Sequence, residues 1–409
     1  MGNIIQNLLP RAEAVKFVAG ELGFPWTFPG EKKNIGELSG EHLLSDVFAP
    51  EDWPPWPRSL RDGYAVRSAD TLGAGPVSPA FLVPVGEVPM GALPSFAIGP
   101  EQCAVIHTGG ILPEGADAVL MREDSEPAGS FIEVRRALQS GENFIARGEE
   151  FLKGDRILRA GTPLGFAETG LLAAIGIGET SVPVVRVGIL STGDEVQPID
   201  ENLRPGRVRD VNGWTLYNLL KRRGYTHVRY HGVCGDDWVV LQKAFREMEE
   251  HSDVLLVSGG SSVSERDYTE RLFGTLGKIF VHGLRVSPGK PTLAAGSRAE
   301  KKLAVGLPGH PLSCLVAAWT FLLPLLSAMT TGDKTSEPWR RVCLSLLKDV
   351  WGHAGIETFV PCALRDEKAG PLFAKSGYVG ALKEISGLIR LPENTDTLRA
   401  GDYAEVLLW

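Results

Sequence analysis

The strict alternation of apolar runs and amphipathic segments between residues 184 and 330 is the strongest constraint on the fold. "VVRVGIL" and "SDVLLVS" are short, continuously apolar runs, as in strands buried on both faces. "NGWTLYNLLKRRGY" and "WVVLQKAFREMEEH" have the apolar spacing of helices, and we predict that Asn212 caps the first and Gly224 ends it. This alternation predicts a doubly wound parallel α/β domain.

The sequence on either side of this region has a different pattern. Residues 8–22 resemble an amphipathic helix, whereas from about 62 to 150 short apolar runs alternate with glycine and proline, which is typical of an all-β unit. Residues 340–409 return to short strands. A chain of 409 residues is too long for one core, so we expect several domains.

Composition excludes some classes of function. The net charge of −8 argues against a nucleic-acid binder. The longest apolar run, "LSCLVAAWTFLLPLLSAM", contains Pro324 and predicts a core helix, not a membrane span. The five cysteines are scattered and the N-terminus lacks a secretory pattern, so we expect a cytoplasmic protein without disulfides.

Ligands of an open α/β sheet bind outside the carboxyl ends of its strands. The first loop there is "STGDEV", residues 191–196, which contains Ser191, Thr192, Gly193, Asp194 and Glu195. Its small residues let a ligand approach the backbone, and its carboxylates are either ligand contacts or solvated acids.

The second loop, "GVCGDDW", places Asp236 and Asp237 after the next strand. Paired aspartates often cap a helix, so capping is the favoured interpretation for at least one of them. The alternative is that one of them is a hard oxygen ligand for Mg²⁺.

The third loop comprises Ser258, Gly259, Gly260 and Ser261, whose backbone N–H groups and hydroxyls suit an anion. Asp267 follows, as a first-turn helix acid or as a contact to metal or substrate.

The fourth region joins "SPGKP" to "GLPGHPLS". Lys290, between two prolines, is a suitable phosphate partner. Residues 308–311 (Pro308, Gly309, His310 and Pro311) form a rigid turn before a long helix. We expect His310 to be structural. Together the four loops suggest a metal-assisted reaction on a phosphorylated ligand.

These motifs occur in a characteristic order. "STGDEV", "RDVNGWTLYNLLKRRG", "DVLLVSGGSSVSERDY", "SPGKP" and "GLPGHPLS" resemble the molybdopterin molybdotransferase family, which includes the E domain of gephyrin. "RSLRDGYAV", "IHTGGILPEGADAVLMRED" and the tail "SGYVGALKEISGLIRLPE" extend the resemblance over nearly the whole chain.

The resemblance implies an elongated homodimer with four domains per subunit. We expect a discontinuous mixed α/β domain (1–52 with 147–182), an inserted β-rich domain (53–146), the molybdopterin-binding α/β domain (183–332) and a barrel-like C-terminal β-domain (336–409). The expected substrates are molybdate and adenylylated molybdopterin, which a partner molybdopterin adenylyltransferase supplies. Mg²⁺ assists cleavage, and AMP leaves.

The resemblance also implies roles for particular residues. Asp62 and Thr108 correspond to the β-domain's contribution to an active site shared between subunits. Glu195, Asp267 and an aspartate at 236–237 correspond to the acids around metal and molybdate, and we add Glu150 to this set. Lys290 corresponds to the phosphate-side lysine, Pro308 and Pro311 to the prolines that shape the pocket, and Ser376 to the serine of the C-terminal domain.

The chain departs from the family pattern at a few positions. Ser264 replaces the last glycine of the "SGGxSxG" pattern, Ser287 replaces a basic residue, and His310 replaces asparagine. These changes keep open a divergent paralogue, either a non-catalytic molybdopterin-binding protein or one that handles tungstate. A stand-alone adenylyltransferase is disfavoured by the long segments on both sides of the α/β region.

Overall fold

The computed structural model describes residues 8–259, 263–335, 337, 339–373 and 375–409, with the backbone alone for residues 263–267. Its internal contacts divide the chain into two compact units. The larger unit comprises Met1–Leu44, Ala160–Phe166 and Glu179–Trp409, and the smaller unit comprises Ser45–Arg159 and Ala167–Gly178. The four predicted domain boundaries are finer than this division and stay predictions.

The helices were largely anticipated from the sequence. In chain order they are α1 (Arg11–Leu22), α2 (Phe166–Ala174), α3 (Asn212–Arg222), α4 (Trp238–His251), α5 (Val263–Leu276), α6 (Pro311–Ala317) and α7 (Leu323–Thr331). A π turn, Ala318–Leu322, joins the last two into one continuous helix. Gly224 follows α3 with a positive φ of 83°, as predicted for the residue that ends this helix.

The strands of the first half of the chain are β1 (Gly30–Asn34), β2 (Val47–Phe48), β3 (Arg58–Ser59), β4 (Gly63–Val66), β5 (Ala80–Glu87), β6 (Gln102–Ile106), β7 (Ala118–Met121), β8 (Ser125–Ala128), β9 (Phe131–Val134), β10 (Phe144–Ile145), β11 (Arg156–Leu158), β12 (Glu179–Pro183), β13 (Val187–Thr192) and β14 (Val196–Gln197).

Those of the second half are β15 (Val208–Arg209), β16 (Val228–Cys234), β17 (Val254–Ser258), β18 (Lys278–His282), β19 (Val286–Ser287), β20 (Leu293–Ser297), β21 (Lys302–Leu307), β22 (Arg340–Ser345), β23 (Val350–Trp351), β24 (Glu357–Arg365), β25 (Lys368–Pro371), β26 (Gly387–Leu391), β27 (Thr397–Leu398) and β28 (Tyr403–Leu408).

The α/β sheet of the larger unit has the order β16-β13-β17-β21-β20-β18. Its first four strands are parallel, but β20 and β18 run antiparallel to their neighbours. The prediction of a wholly parallel sheet was therefore wrong at this edge. Only residues 298–301 connect β20 to β21, and a parallel connection needs a crossover of a dozen residues or more.

Helices cover both faces of this sheet, as a doubly wound fold requires. Alternate residues of β17 point to opposite sides: Leu256 joins the core that contains α1 and α3, whereas Leu255 joins the core that contains α4 and α5. This division explains why the strand is apolar at every position.

The helix Pro311–Thr331 has the length and apolar composition of a membrane span. However, 94% of its most apolar window is buried inside the structure. This burial agrees with the prediction of a core helix, and no other helix among the described residues has such a composition.

The smaller unit contains a six-stranded sheet with the order β7-β4-β6-β5-β9-β8. Gly63 of β4 pairs with Ile106 of β6, so the residues just before Gly63 and just after Ile106 lie side by side. A Cβ atom on Gly63 would lie 1.9 Å from the carbonyl oxygen of Leu120, which explains the glycine. The C-terminal segment forms a separate sheet with the order β19-β24-β26-β28-β22, in the larger unit.

Replacing Gly224 by alanine tests how tightly the end of α3 is packed. The new Cβ would lie 1.7 Å from the carbonyl oxygen of Gly40, so the backbone must shift. Gly206 has a similar φ of 79° but nothing within 4 Å of a Cβ. We expect Gly206→Ala to lower the free energy of unfolding by about 1 kcal/mol, from left-handed strain alone, and Gly224→Ala to lower it by more than twice that. Urea denaturation of both variants measures this, and equal losses would contradict it.

Candidate active site

The carboxyl ends of three neighbouring parallel strands bring three of the predicted loops together. Ser191 at the end of β13 pairs with Ser258 at the end of β17, and Ser258 pairs with Leu307 at the end of β21. The loops that begin at these residues therefore lie side by side, as predicted from the sequence.

A buried carboxylate lies beneath these loops. Asp210 is 4% exposed, and its side chain accepts three hydrogen bonds. The donors are the hydroxyl of Ser191 at 2.7 Å, the hydroxyl of Tyr230 at 2.7 Å and the backbone N–H of Gly213 at 3.0 Å. Burial, together with the hydrogen bond to this carboxylate, raises the pKa of the Tyr230 phenol. Asp210 was not among the predicted site residues, because a single aspartate before a helix has no distinctive spacing.

Asn212 connects the helix α3 to two of the loops. Its side-chain amide donates to the Ser258 hydroxyl at 2.8 Å and to the Gly309 carbonyl oxygen at 2.7 Å. The prediction that Asn212 caps α3 was wrong: the helix begins at Asn212, and Asp210 accepts the N–H of Gly213 instead. The amide is thereby free to join Ser258 to Gly309.

Gly259 allows the loop after β17 to approach the loop after β13. Its φ is +128°, and an added Cβ would lie 2.3 Å from the carbonyl oxygen of Thr192. Its backbone N–H donates to the carbonyl oxygen of Leu307 at 3.3 Å, so this N–H is not available for the anion nest that we predicted. Gly260 and Ser261, the rest of that predicted nest, lie outside the described residues.

The acids of the first two loops have different roles. The backbone N–H of Asp236 donates to Asp194 at 3.1 Å, which joins the loops, whereas Asp237 accepts the N–H groups of Val239 and Val240 as the cap of α4. Glu195 is exposed.

The predicted set of metal-binding acids is not assembled within the described residues, where no group of three or more His, Cys, Asp or Glu side chains could hold a metal ion. The side chain of Asp267 lies outside those residues, and Glu150 belongs to the smaller unit.

A cleft of about 280 Å³ opens between these loops and the C-terminal segment. Glu195, Asp210, Asn212, Gly309, His310 and Pro311 line one side, and Gly377 and Val379 line the other. The backbone N–H of Leu312, in the first turn of α6, donates to the Ser376 carbonyl oxygen at 3.0 Å. The backbone of Ser376 is therefore held at the start of α6, next to Gly377 of the cleft lining, and the predicted anion site at this helix start has one N–H fewer.

Lys290 lies apart from the lining of this cleft. It is exposed, and its carbonyl oxygen accepts the backbone N–H of Leu284 at 2.9 Å. The peptide bond between Ser287 and Pro288 before it is cis.

The smaller unit brings the other two predicted residues together. Asp62 accepts the backbone N–H of Thr108 at 2.7 Å and its hydroxyl at 3.1 Å. These interactions lower the pKa of Asp62. The largest cause is the hydrogen bond from the Thr108 backbone N–H, followed by that from the Thr108 hydroxyl and by the charge of the nearby His107. His107 also contacts Glu87 at 3.1 Å. The result is an exposed carboxylate that stays ionised at neutral pH.

Comparison with known proteins gives consistent matches. Residues 9–176 match the family described as the MoeA N-terminal region (domains I and II), and residues 188–328 match the probable molybdopterin binding domain. A molybdopterin molybdenumtransferase of Bacillus subtilis is 32% identical over 90% of this chain and 86% of its own length. A putative molybdopterin biosynthesis protein of Methanocaldococcus jannaschii is 30% identical over 99% of both.

The chain belongs to the molybdopterin molybdotransferase family. A solved structure of the molybdopterin biosynthesis MoeA protein of Pyrococcus horikoshii matches 98% of the chain with a TM-score of 0.78 and 32% identity. The fold is therefore that of a MoeA-like multidomain protein with an α/β molybdopterin-binding domain. Membership in this family of transferases assigns the chain to molybdenum cofactor biosynthesis.

The support of Asp210 in this molybdotransferase-family protein can be tested with two tyrosine variants. Tyr230→Phe removes one donor to the buried carboxylate, so we expect the free energy of unfolding to fall by about 1.5–3 kcal/mol. Tyr217→Phe is the matched control, because the Tyr217 hydroxyl has no hydrogen-bond partner in the described part of the chain. Urea denaturation measures both, and an equal effect of the two changes would show that Asp210 does not need Tyr230.

Proposed function

We propose that the protein transfers molybdate to adenylylated molybdopterin, with Mg²⁺-assisted cleavage of the phosphoanhydride and release of AMP. The observation that carries this proposal is the cleft at the carboxyl ends of β13, β17 and β21, where Asp210 and Asn212 fix the loops. It lies where ligands bind in open α/β sheets, and all its lining residues except Gly377 and Val379 belong to the region that matches the molybdopterin-binding family.

The chain's own residues would bind and orient the substrate in this cleft. Glu195 is exposed at the edge of the cleft. The hydrogen bond from the Asn212 amide to the Gly309 carbonyl oxygen holds the Pro308–Pro311 turn beside the cleft. Because Asp210 and Asn212 are already hydrogen-bonded, these loops need little reorganisation when the substrate binds.

The donors in this region suit magnesium chemically. Asp194, Glu195 and Asp236 offer hard carboxylate oxygens, although one oxygen each of Asp194 and Asp236 accepts the other residue's backbone N–H and one oxygen of Asp237 is occupied by the helix cap. Mg²⁺ is commonly held by one or two carboxylates together with substrate phosphates, so a complete protein cage is not required. When bound, the ion would neutralise charge on the phosphoanhydride.

Asp62 is the residue of the smaller unit that we assign to catalysis. Its ionised carboxylate is held by Thr108 and can accept a hydrogen bond from a substrate or its water. We further propose a cytoplasmic homodimer that receives its substrate from a molybdopterin adenylyltransferase.

The structure removes one argument for the alternative, a non-catalytic or tungstate-handling paralogue. Ser264, which replaces a glycine of the family pattern, lies in the first turn of α5. An α-helical residue does not need the positive φ for which a glycine would be required. The replacement of this glycine by Ser264 therefore implies no backbone strain at this position.

A direct assay tests the reaction. We expect the purified protein to release AMP from adenylylated molybdopterin in the presence of Mg²⁺ and molybdate, and Asp62→Ala and Glu195→Ala to lower the rate by about 100-fold or more, as for loss of a positioned catalytic group. Glu247→Ala, an exposed acid on α4, is the control and should keep the normal rate.

Bound molybdenum must be measured with the released AMP. Full activity of either Asp62→Ala or Glu195→Ala would contradict the catalytic roles that we assign to these two residues. Absence of molybdate-dependent AMP release by the native protein would favour the binding-protein alternative.

A further inference from the structure

A row of charged side chains crosses one end of the sheet in the smaller unit. The strands β7, β4, β6 and β5 are neighbours in this order. Gly63, which begins β4, pairs with Met121 at the end of β7 and with Ile106 at the end of β6. Glu87 ends β5, which runs parallel to β6. The residues at this end of the four strands are, in the same order, Arg122, Asp62, His107 and Glu87.

His107 lies between two carboxylates of this row. Its Nε2 is 3.1 Å from Oε1 of Glu87, and its Nδ1 is 3.8 Å from Oδ1 of Asp62. Because an ionised carboxylate only accepts hydrogen bonds, the Nε2 that contacts Glu87 carries the hydrogen. A neutral ring then points the lone pair of Nδ1 at Asp62, whereas a protonated ring presents an N–H group to each carboxylate. The arrangement therefore suits a charged imidazole.

The contacts of Asp62 fall on one of its two oxygens. Oδ1 accepts the backbone N–H of Thr108 at 2.7 Å and its hydroxyl at 3.1 Å, and Oδ1 also forms the ion pair with His107. Oδ2 has no partner among the residues that the structure describes. Since 61% of this side chain is exposed, Oδ2 is the oxygen that remains for a substrate or its water.

Folding alone does not account for this row. The side chains of His107 and Glu87 are 42% and 65% exposed. Exposed ion pairs contribute little to stability, because water screens the charges and ordering the side chains costs entropy. The row does act on Asp62: after the two hydrogen bonds from Thr108, the charges of His107 and Arg122 lower the pKa of Asp62.

We propose that Glu87 and His107 are positioning residues for Asp62. Glu87 orients the imidazole, and the charged imidazole, together with Thr108, holds Oδ1 so that Oδ2 is presented to the substrate. This inference rests on the proposed function, in which Asp62 meets the substrate. The positioning is present while His107 carries its second proton and is lost when the ring becomes neutral as the pH rises. The reaction rate therefore depends on pH through a residue that acts on Asp62.

Two substitutions of His107 test this dependence. His107→Gln removes the charge, so we expect kcat for molybdate-dependent AMP release to fall by about tenfold, as for a small misplacement of a catalytic group, with KM little changed. His107→Lys keeps a fixed positive charge. The native kcat should fall as His107 loses its proton, whereas that of His107→Lys should hold over the same pH range.

A second histidine and a double substitution provide the controls. His227→Gln removes an imidazole that contacts Glu31 at 2.8 Å in the larger unit and is 40% exposed, so its rate and pH profile should be normal. Glu87→Gln should lower kcat in the native background but not in His107→Lys, because Glu87 acts through the imidazole ring. The same loss in both backgrounds would overturn the role of Glu87.

A titration of the Asp62 carboxyl tests the positioning without any activity. We follow it by ¹³C NMR of the full chain with labelled aspartate, assigned with Asp62→Asn. The pKa of Asp62 should rise in His107→Gln and stay low in His107→Lys, and both variants should keep the native urea midpoint. An unchanged pKa of Asp62 in His107→Gln, or the native fall of kcat with pH in His107→Lys, would overturn the proposal. Absence of AMP release by the native protein would overturn the proposed function instead, and the titration would still decide whether His107 holds Asp62.

Discussion

The hydrogen bonds of one buried carboxylate determine how the proposed site is arranged. Burying an ionised group is costly unless its oxygens are satisfied, and Asp210 meets this requirement with donors from β13, β16 and the start of α3. The hydrogen bond to the carboxylate also holds each of these donors in place. Asn212, two residues later, then ties the same helix end to the loops after β17 and β21. Strand order brings the loops together, and this pair of residues fixes their spacing.

The sequence predicted the parts of this arrangement that depend on periodicity. Continuous apolar runs identified β13 and β17, and amphipathic spacing identified α3 and α4. The antiparallel edge was missed because neither β18 nor β20 was predicted as a strand, and the four residues between β20 and β21 were therefore not recognised as a hairpin turn. The direction of a side chain cannot be predicted from apolar spacing. Asn212 was therefore predicted to cap α3 instead of bonding the neighbouring loops, and Asp210 was overlooked.

The smaller unit shows what a motif can add to periodicity. Nothing in the spacing of Asp62 and Thr108, 46 residues apart, indicates that they touch. The family resemblance paired them, and the pairing of Gly63 with Ile106 explains it, because the residues beyond this pair must be neighbours. The side chain of Asp267 lies outside the described residues, so its predicted contact to metal or substrate stays a prediction.

The central claim is that Asn212 holds the loops around the cleft, and amide hydrogen exchange tests it most directly. The N–H of Gly259, bonded to Leu307 at 3.3 Å, is the most informative probe. We expect Asn212→Ala to speed exchange across residues 254–259 and 307–312 and to leave β28 unchanged. Asn218→Ala, which removes an amide that donates to Trp214 within the same helix, should have no such effect on the two loops. Unchanged exchange in Asn212→Ala, or an equal effect of both substitutions, would contradict the account.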